Sequence, residues 1–288
     1  MFVVFGANGN TGKVVASTLL EQGKKVRVVA RDPAKVEGLR AKGAEVVSTD
    51  VLDTPSITKA LAGAQGAYLL MPPDPTSTDL VARGRRIVDN YVAALTETKV
   101  PHAAVLSSVA AQVPSGTGPI VITHYAENNL PKAADTKFSF VRAAYFMENI
   151  AAFAHPIKAD GVLPVLGGGE GFAFPMIATH DIGTVAAKAL LATPSTHEWI
   201  ELSGPQEYSF NDAAEIASKI LGRTVKTSVV PLEAVVPTLT SFGVTENMAG
   251  LYKEMTEALG KGVVRFEGKG RSVRGSVTLE QVLRGALG

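Results

Sequence analysis

The sequence contains no cysteine. That excludes disulfides, thiol catalysis and cysteine-ligated metal sites. Histidine is scarce, with 5 in 288 residues, and none belongs to an HExxH pair. No metal is expected. Neither sign of charge dominates: Lys and Arg total 28, Asp and Glu 27. A general nucleic-acid or anionic-membrane surface is therefore not expected. Arg265, Lys269, Arg271 and Arg274 form a local basic run, read as solvated surface. Long apolar runs are also missing, because a charged residue interrupts each one. Phe2–Phe5 is too short for a signal core or a membrane span, and no basic leader precedes it. These absences point to a soluble, cytoplasmic protein with no membrane partner.

What is present suits a large core, since 46% of residues are hydrophobic. Phe2–Phe5 reads as a fully buried strand because its apolar residues do not alternate with polar ones. A helix over Val14–Gln22 follows, stopped by Gly23. Strands are expected at Val26–Ala30, Val46–Ser48, Gly66–Met71, Ala103–Leu106 and Phe138–Val141. Asp32-Pro33 and Thr54-Pro55 carry the cap-and-proline signature of helix starts. Further helices are expected over Asp79–Thr98 and Tyr125–Ala134. The alternation has the spacing of βαβ units and predicts a Rossmann-like α/β fold: a mostly parallel sheet with helices on both faces.

From about Ile150 the texture changes. Gly161–Gly171 reads as a turn or loop around Gly167-Gly168-Gly169. Asp181–Leu191 reads as a helix and Trp199–Leu202 as a strand returning to the main sheet. Phe210–Leu221, Leu232–Phe242, Thr245–Leu259 and Thr278–Ala286 read as helical. The expected organisation is a nucleotide-binding core over residues 1–150. Residues 151–288 then form mainly a smaller C-terminal substrate lobe, with about 181–202 returning to the core.

The first turn carries the chemistry. GANGNTG places Gly6, Gly9 and Gly12 between a buried strand and a helix. Gly6 permits a sharp exit, Gly9 lets backbone approach a pyrophosphate, and Gly12 lets the helix pack closely. Open N–H groups at the helix start would bind the phosphate charge. Asn8, Asn10 and Thr11 can add side-chain hydrogen bonds. An ordinary turn would serve for three glycines elsewhere, but this position favours a dinucleotide. After the second strand, Arg31 occupies the place where an acidic residue would accept the ribose hydroxyls of NAD. A guanidinium there suits a ribose 2′-phosphate, so NADP(H) is expected over NAD(H). Asp32 is left as a helix cap. Asp50 and Val51 can receive adenine, or Asp50 can simply cap a turn. Met71, after the fourth strand, can border the cofactor. Ser107, at the end of the fifth, can reach the nicotinamide ribose or substrate, or serve only a turn. No second nucleotide motif is present, and no flavin is expected.

With these elements in place, the chain resembles the NmrA-like family of atypical short-chain dehydrogenases/reductases. The likeness runs through ARDPAK at 30–35, DVLDTPS at 50–56, LSSVAAQ at 106–112 and HYAENNL at 124–130. It continues through FSFVRAAYFMENI at 138–150 and FPMIATHDIGTVAAKAL at 174–190. Within that family it is similar to bacterial NADPH-dependent quinone reductases and triphenylmethane dye reductases. The resemblance implies a substrate cleft between two lobes, with Met71 on the nicotinamide side. By the same resemblance, Phe146, Met147 and Asn149 would lie near the enclosed substrate. It also implies a monomer or homodimer. Arg142 reads as a structural or charge-pairing residue, and His180 with Asp181 as organisers of a turn and helix start.

One departure matters. A typical short-chain dehydrogenase uses Tyr-x-x-x-Lys. Here Tyr125 is followed at the fourth position by Asn129, which supplies no cation. Tyrosine-dependent alcohol oxidation is not expected. Hydride transfer from NADPH to a small planar quinone or related conjugated acceptor is. Solvent can complete that reaction, with Tyr125 and His124 as candidate proton donors. Tyr145, Phe146 and Met147 are candidates for an apolar wall against the acceptor, core packing being their plainer role. The rival is a non-catalytic NADP(H)-binding redox sensor that signals to a protein partner.

Overall fold

The computed structural model describes residues 1–192 and 194–288. The first six strands are β1 (Phe2–Phe5), β2 (Val26–Val29), β3 (Glu45–Val47), β4 (Gly66–Leu69), β5 (His102–Ser108) and β6 (Lys137–Ala143). Their spatial order is β3-β2-β1-β4-β5-β6, every pairing is parallel, and they form one Rossmann-like sheet. The chain reverses direction across the sheet between β1 and β4, which opens a crevice at their carboxyl ends.

Successive side chains of a strand serve opposite faces. Phe2 and Val4 enter one buried cluster, Val3 and Phe5 the other. The first cluster is covered by α1 (Asn10–Glu21) and the short α2 (Glu37–Ala41). The second is covered by α3 (Thr54–Leu61), α4 (Leu80–Thr98) and α5 (Ile120–Asn129). Asp32 caps a 3-10 turn over Pro33–Val36, its carboxylate accepting from the Ala34 N–H at 3.0 Å. Asp53, not Thr54, caps α3 by accepting from the Ser56 N–H at 3.0 Å. Asp79 caps α4.

Beyond β6 the chain makes β7 (Tyr145–Phe146), α6 (Glu148–Ala151), α7 (Ala154–Asp160), β8 (Val162–Leu166) and β9 (Phe174–Ile177). Val162–Leu166 is thus a strand and not a loop; the turn comes after it and begins with three glycines, each with positive φ. α8 (Thr179–Leu191) then packs on α1, and β10 (Glu198–Ser203) joins β6 in the main sheet. Asp181, inside the first turn of α8, accepts from the Ser276 and Val277 N–H groups at 2.9 Å each. β11 (Glu207–Tyr208), α9 (Phe210–Leu221), β12 (Lys226–Val230), α10 (Val235–Ser241) and α11 (Glu246–Gly260) follow. β13 (Arg271–Arg274) becomes the eighth strand of the main sheet, beside β10, and α12 (Leu279–Leu287) ends the chain.

Smaller sheets β11-β9-β7 and β12-β8 belong to the second lobe. Its own core holds Met147, Ile157, Leu163, Tyr208, Ala217, Leu279 and Leu283. No helix among the described residues is long and apolar enough to cross a membrane.

Candidate active site

The crevice is built by the segments that leave the carboxyl ends of β1 to β6. At its centre, Gly6 follows β1 with φ +64°. A Cβ there would stand 2.6 Å from Leu70 Cδ2, so the Leu70 side chain would have to shift. Gly12 is tighter still: a Cβ would run into the Gly6 carbonyl oxygen and lie 2.7 Å from its carbon. Gly9 differs. It is exposed, has an ordinary φ of −87° and would bring a Cβ no closer than 3.3 Å to the Gly6 oxygen. The fold requires Gly6 and Gly12, whereas Gly9 faces outward and leaves space above the backbone.

Gly9 is the N-cap of α1, and no side chain caps that helix. Its first-turn N–H groups are open, and the helix dipole favours an anion there. Asn8 and Asn10 are exposed beside it. Thr11 corrects an expectation. Its side chain is buried, and Oγ1 accepts from the Tyr68 hydroxyl at 2.9 Å. Only its backbone N–H belongs to the cradle.

Arg31 is exposed after β2, and its guanidinium has neither an ion pair nor a hydrogen bond among the described residues. It stands near the β4–α4 loop. There Asp74 pairs with Arg83 at 3.2 Å, and Thr76 first, with Arg83 and Arg31 lesser causes, holds the Asp74 carboxyl below its usual range. Asp50 accepts from the Leu52 N–H at 2.9 Å, so it shapes a turn while remaining exposed. Val51 is half-buried, its carbonyl accepting from Asn90 at 3.1 Å. Met71 is half-buried after β4.

The β5 exit contains Ala110 in the left-handed region, φ 64°, fully buried. Non-glycine residues rarely adopt that conformation, and it bends the chain sharply away from the sheet. Ser107 is buried and donates to Glu127 Oε1 at 2.5 Å. Glu127 also accepts from Arg142 Nη2 at 2.6 Å and from the Trp199 indole at 2.9 Å. Arg142 in turn reaches Glu267 at 2.9 Å. Glu201, beside Arg142 in register, accepts from the Gly268 N–H at 2.9 Å. Sequence reasoning found the pairing role of Arg142 but not Glu127, Trp199, Glu201 or Glu267. Glu127 shares a helical face with Ile120, and that phase was its only signal.

Both candidate proton donors are already hydrogen-bonded within the protein. Tyr125 is two positions from Glu127, which puts it on the opposite side of α5. Its hydroxyl donates to Asp89 Oδ1 on α4 at 2.9 Å, and Arg85 lies 5.3 Å over its ring. That bond to Asp89 raises the phenol's pKa. His124 Nδ1 faces the Ala111 carbonyl at 2.8 Å, which can only accept, so Nδ1 carries the proton. Asn128 approaches Nε2 as a donor at 3.3 Å. The ring clamps the β5–α5 connection.

The proposed substrate wall divides similarly. Met147 is fully buried in the second-lobe core and lines nothing. Phe146 is half-buried against the main core. Tyr145 is half-buried, edge-on to Phe174 at 5.4 Å, and burial raises its pKa despite the amide of exposed Asn149.

This is a doubly wound α/β protein with an open glycine cradle at the crossover of its sheet. The chain belongs to the NmrA-like family, whose model matches residues 1–268. It is 25% identical over 259 residues to the NAD(P)H azoreductase of Xenophilus azovorans, covering 88% of this chain and 86% of that one. It is 28% identical to the (4-alkanoyl-5-oxo-2,5-dihydrofuran-3-yl)methyl phosphate reductase of Streptomyces griseus, covering 81% and 78%. The fold matches the NADPH complex of the Escherichia coli NADPH-dependent quinone oxidoreductase QOR2 with a TM-score of 0.80, 20% identity and full coverage of both chains. It also matches the Citrobacter sp. triphenylmethane reductase in complex with NADP(H), with a TM-score of 0.79, 19% identity and 99% of each chain covered.

Proposed function

We propose that the protein is an NADPH-dependent reductase that delivers hydride to a quinone or a related conjugated acceptor. The observation that carries this reading is the uncapped start of α1 behind the exposed Gly9, together with an exposed Arg31 after β2 that is unpaired among the described residues. Those groups fit a dinucleotide. First-turn N–H groups would hold the pyrophosphate, Asn8 and Asn10 would flank it, and Arg31 would take the ribose 2′-phosphate. Asp50 and Val51 would border adenine. The names of the relatives, an azoreductase and reductases of a quinone and of a dye, support the same chemistry.

Bound NADPH supplies a hydride; the protein supplies alignment and field. Ser107, fixed by Glu127, would set the floor beside Met71. In this reading Tyr125 and His124, bonded to Asp89 and Ala111, are not needed as donors. The acceptor's proton therefore comes from solvent.

Calorimetric titration with NADPH and NADH tests the cofactor, in the parent and in Arg31→Ala. NADPH is expected to bind more tightly, and the variant to lose about tenfold of that preference, or about 1.4 kcal/mol. Equal weakening of both cofactors would remove the 2′-phosphate role. Multiple-turnover NADPH oxidation with a soluble benzoquinone then separates a reductase from a sensor, which would bind stoichiometrically and consume nothing.

A further inference from the structure

α11 bridges the two halves of the molecule. At its start, Thr245 donates its N–H to the Pro75 carbonyl at 3.1 Å and its hydroxyl to the Ser77 carbonyl at 2.7 Å. Asn247 accepts from the Leu80 N–H at 3.0 Å. These bonds tie the helix to the loop between β4 and α4. Midway, Gly118 lies against the helix backbone, where a Cβ would stand 3.0 Å from the Leu251 carbonyl carbon. Further along, Gly167 approaches the Thr256 side chain. The helix is thereby strapped from the β4 exit to the second lobe.

Its inward stripe is Met248, Tyr252, Met255 and Leu259, spaced to share one helical face. Met248 belongs to the cluster of Leu80 and Ile122 on the nucleotide side. Leu259 packs against the core of the second lobe. Tyr252 falls between them, and the Leu80 cluster against which it packs also takes Met71. Tyr145, just past β6, is close enough for the two phenols to influence each other.

The hydroxyls of the six tyrosines differ in one respect. Those of Tyr68, Tyr91 and Tyr125 donate to Thr11, the Leu70 carbonyl and Asp89. Tyr208 accepts from the Leu279 N–H, and the Tyr145 hydroxyl has the Asn149 amide nearby. Tyr252 has no hydrogen-bond partner among the described residues, although its ring is half-buried. Its hydroxyl is not one of the fully buried polar atoms that lack a partner, so it is open to a solute.

We propose that Tyr252 donates the hydrogen bond that holds the carbonyl oxygen of the acceptor, a role that rests on the reductase reading above. As hydride adds to a conjugated carbonyl compound, the π electron pair moves to oxygen and leaves an oxyanion. A donor fixed beside that oxygen stabilises the developing charge. Water then supplies one proton to the oxygen, and the reduced nicotinamide is the electron source. Burial raises the phenol's pKa, so Tyr252 keeps its proton at neutral pH and remains a donor.

Tyr252→Phe keeps the ring and deletes the donor. Expected for the variant is a roughly 100-fold fall in kcat with a benzoquinone. Reduction of a cationic triphenylmethane dye should change less than about threefold, because hydride addition to a carbocation creates no oxyanion. A binding measurement needs no cofactor: 4-nitrophenolate should bind the variant about tenfold more weakly than the parent, and nitrobenzene equally to both. Equal losses on quinone and dye, or unchanged nitrophenolate affinity, would overturn the role of Tyr252. A parent that consumes no NADPH with either acceptor overturns the reductase reading, and this role with it.

Discussion

Two glycines three residues apart do different work. Gly12 meets the Gly6 carbonyl group, which is backbone and cannot swing aside. Gly12→Ala is therefore expected to destabilise the protein by about 1–3 kcal/mol, as overpacking does. Gly9→Ala should cost under about 1 kcal/mol, mostly as a poorer helix cap, yet weaken NADPH about tenfold because the methyl occupies the approach of the phosphate. Urea unfolding beside calorimetry separates the two, and equal stability losses would contradict the distinction. At this scale the sequence was legible wherever a residue answers to its own backbone. Gly6 leaves a strand through positive φ, and Asp32 caps the turn that begins beside it. It was not legible where a distant partner decides. Thr11 turns inward because Tyr68, far along the chain, presents a hydroxyl to it. Tyr125 turns outward because Asp89 waits on α4.

Among the elements, buried βαβ units were readable from their uninterrupted apolar strands. β13 was not, because RSVR carries two arginines in four residues, and an edge strand needs only one partner. β8 and β12 form a separate parallel pair, and the glycine-rich sequence after β8 drew attention to the turn over the strand. The central strands are also joined by side chains. His102 on β5 donates from Nε2 to Ser139 on β6 at 2.9 Å, and Ser139 donates to Glu198 on β10 at 2.7 Å. Burial lowers the His102 pKa below 6.5, with Glu198 only partly opposing it. The unfolded chain then takes up a proton near pH 6.5 that the folded chain refuses. Stability is full above that pH and declines as pH falls through it, levelling below the folded pKa. His197, depressed by burial and by Lys137, adds in the same direction. Urea midpoints at about pH 7.5 and about pH 5.5 should differ less in His102→Gln than in the parent. An undiminished pH dependence in that variant would show that His102 is not the source.

For the whole molecule, the two lobes are interlaced rather than joined in series. The chain leaves the main sheet after β6, returns for α8 and β10, leaves again through α11 and comes back as β13 before α12 docks in the second lobe. The Glu127–Arg142 pair sits where these passes meet. One arginine faces Glu127, Glu201 and Glu267, so the segment before β13 is tied to the sheet by charge as well as by strand pairing. Trp199, the one tryptophan, stacks on Phe140 at 5.7 Å and bonds Glu127 at that junction. Neither lobe can unfold without pulling strands from the other, so unfolding should be a single cooperative event despite the length of the chain. Trp199 fluorescence and far-ultraviolet circular dichroism should then trace the same urea transition, with one midpoint and one slope. A fluorescence change completed while much of the helical signal persists would mean that the second lobe stands on its own core. The returning strands would in that case be a covering, not a fastening.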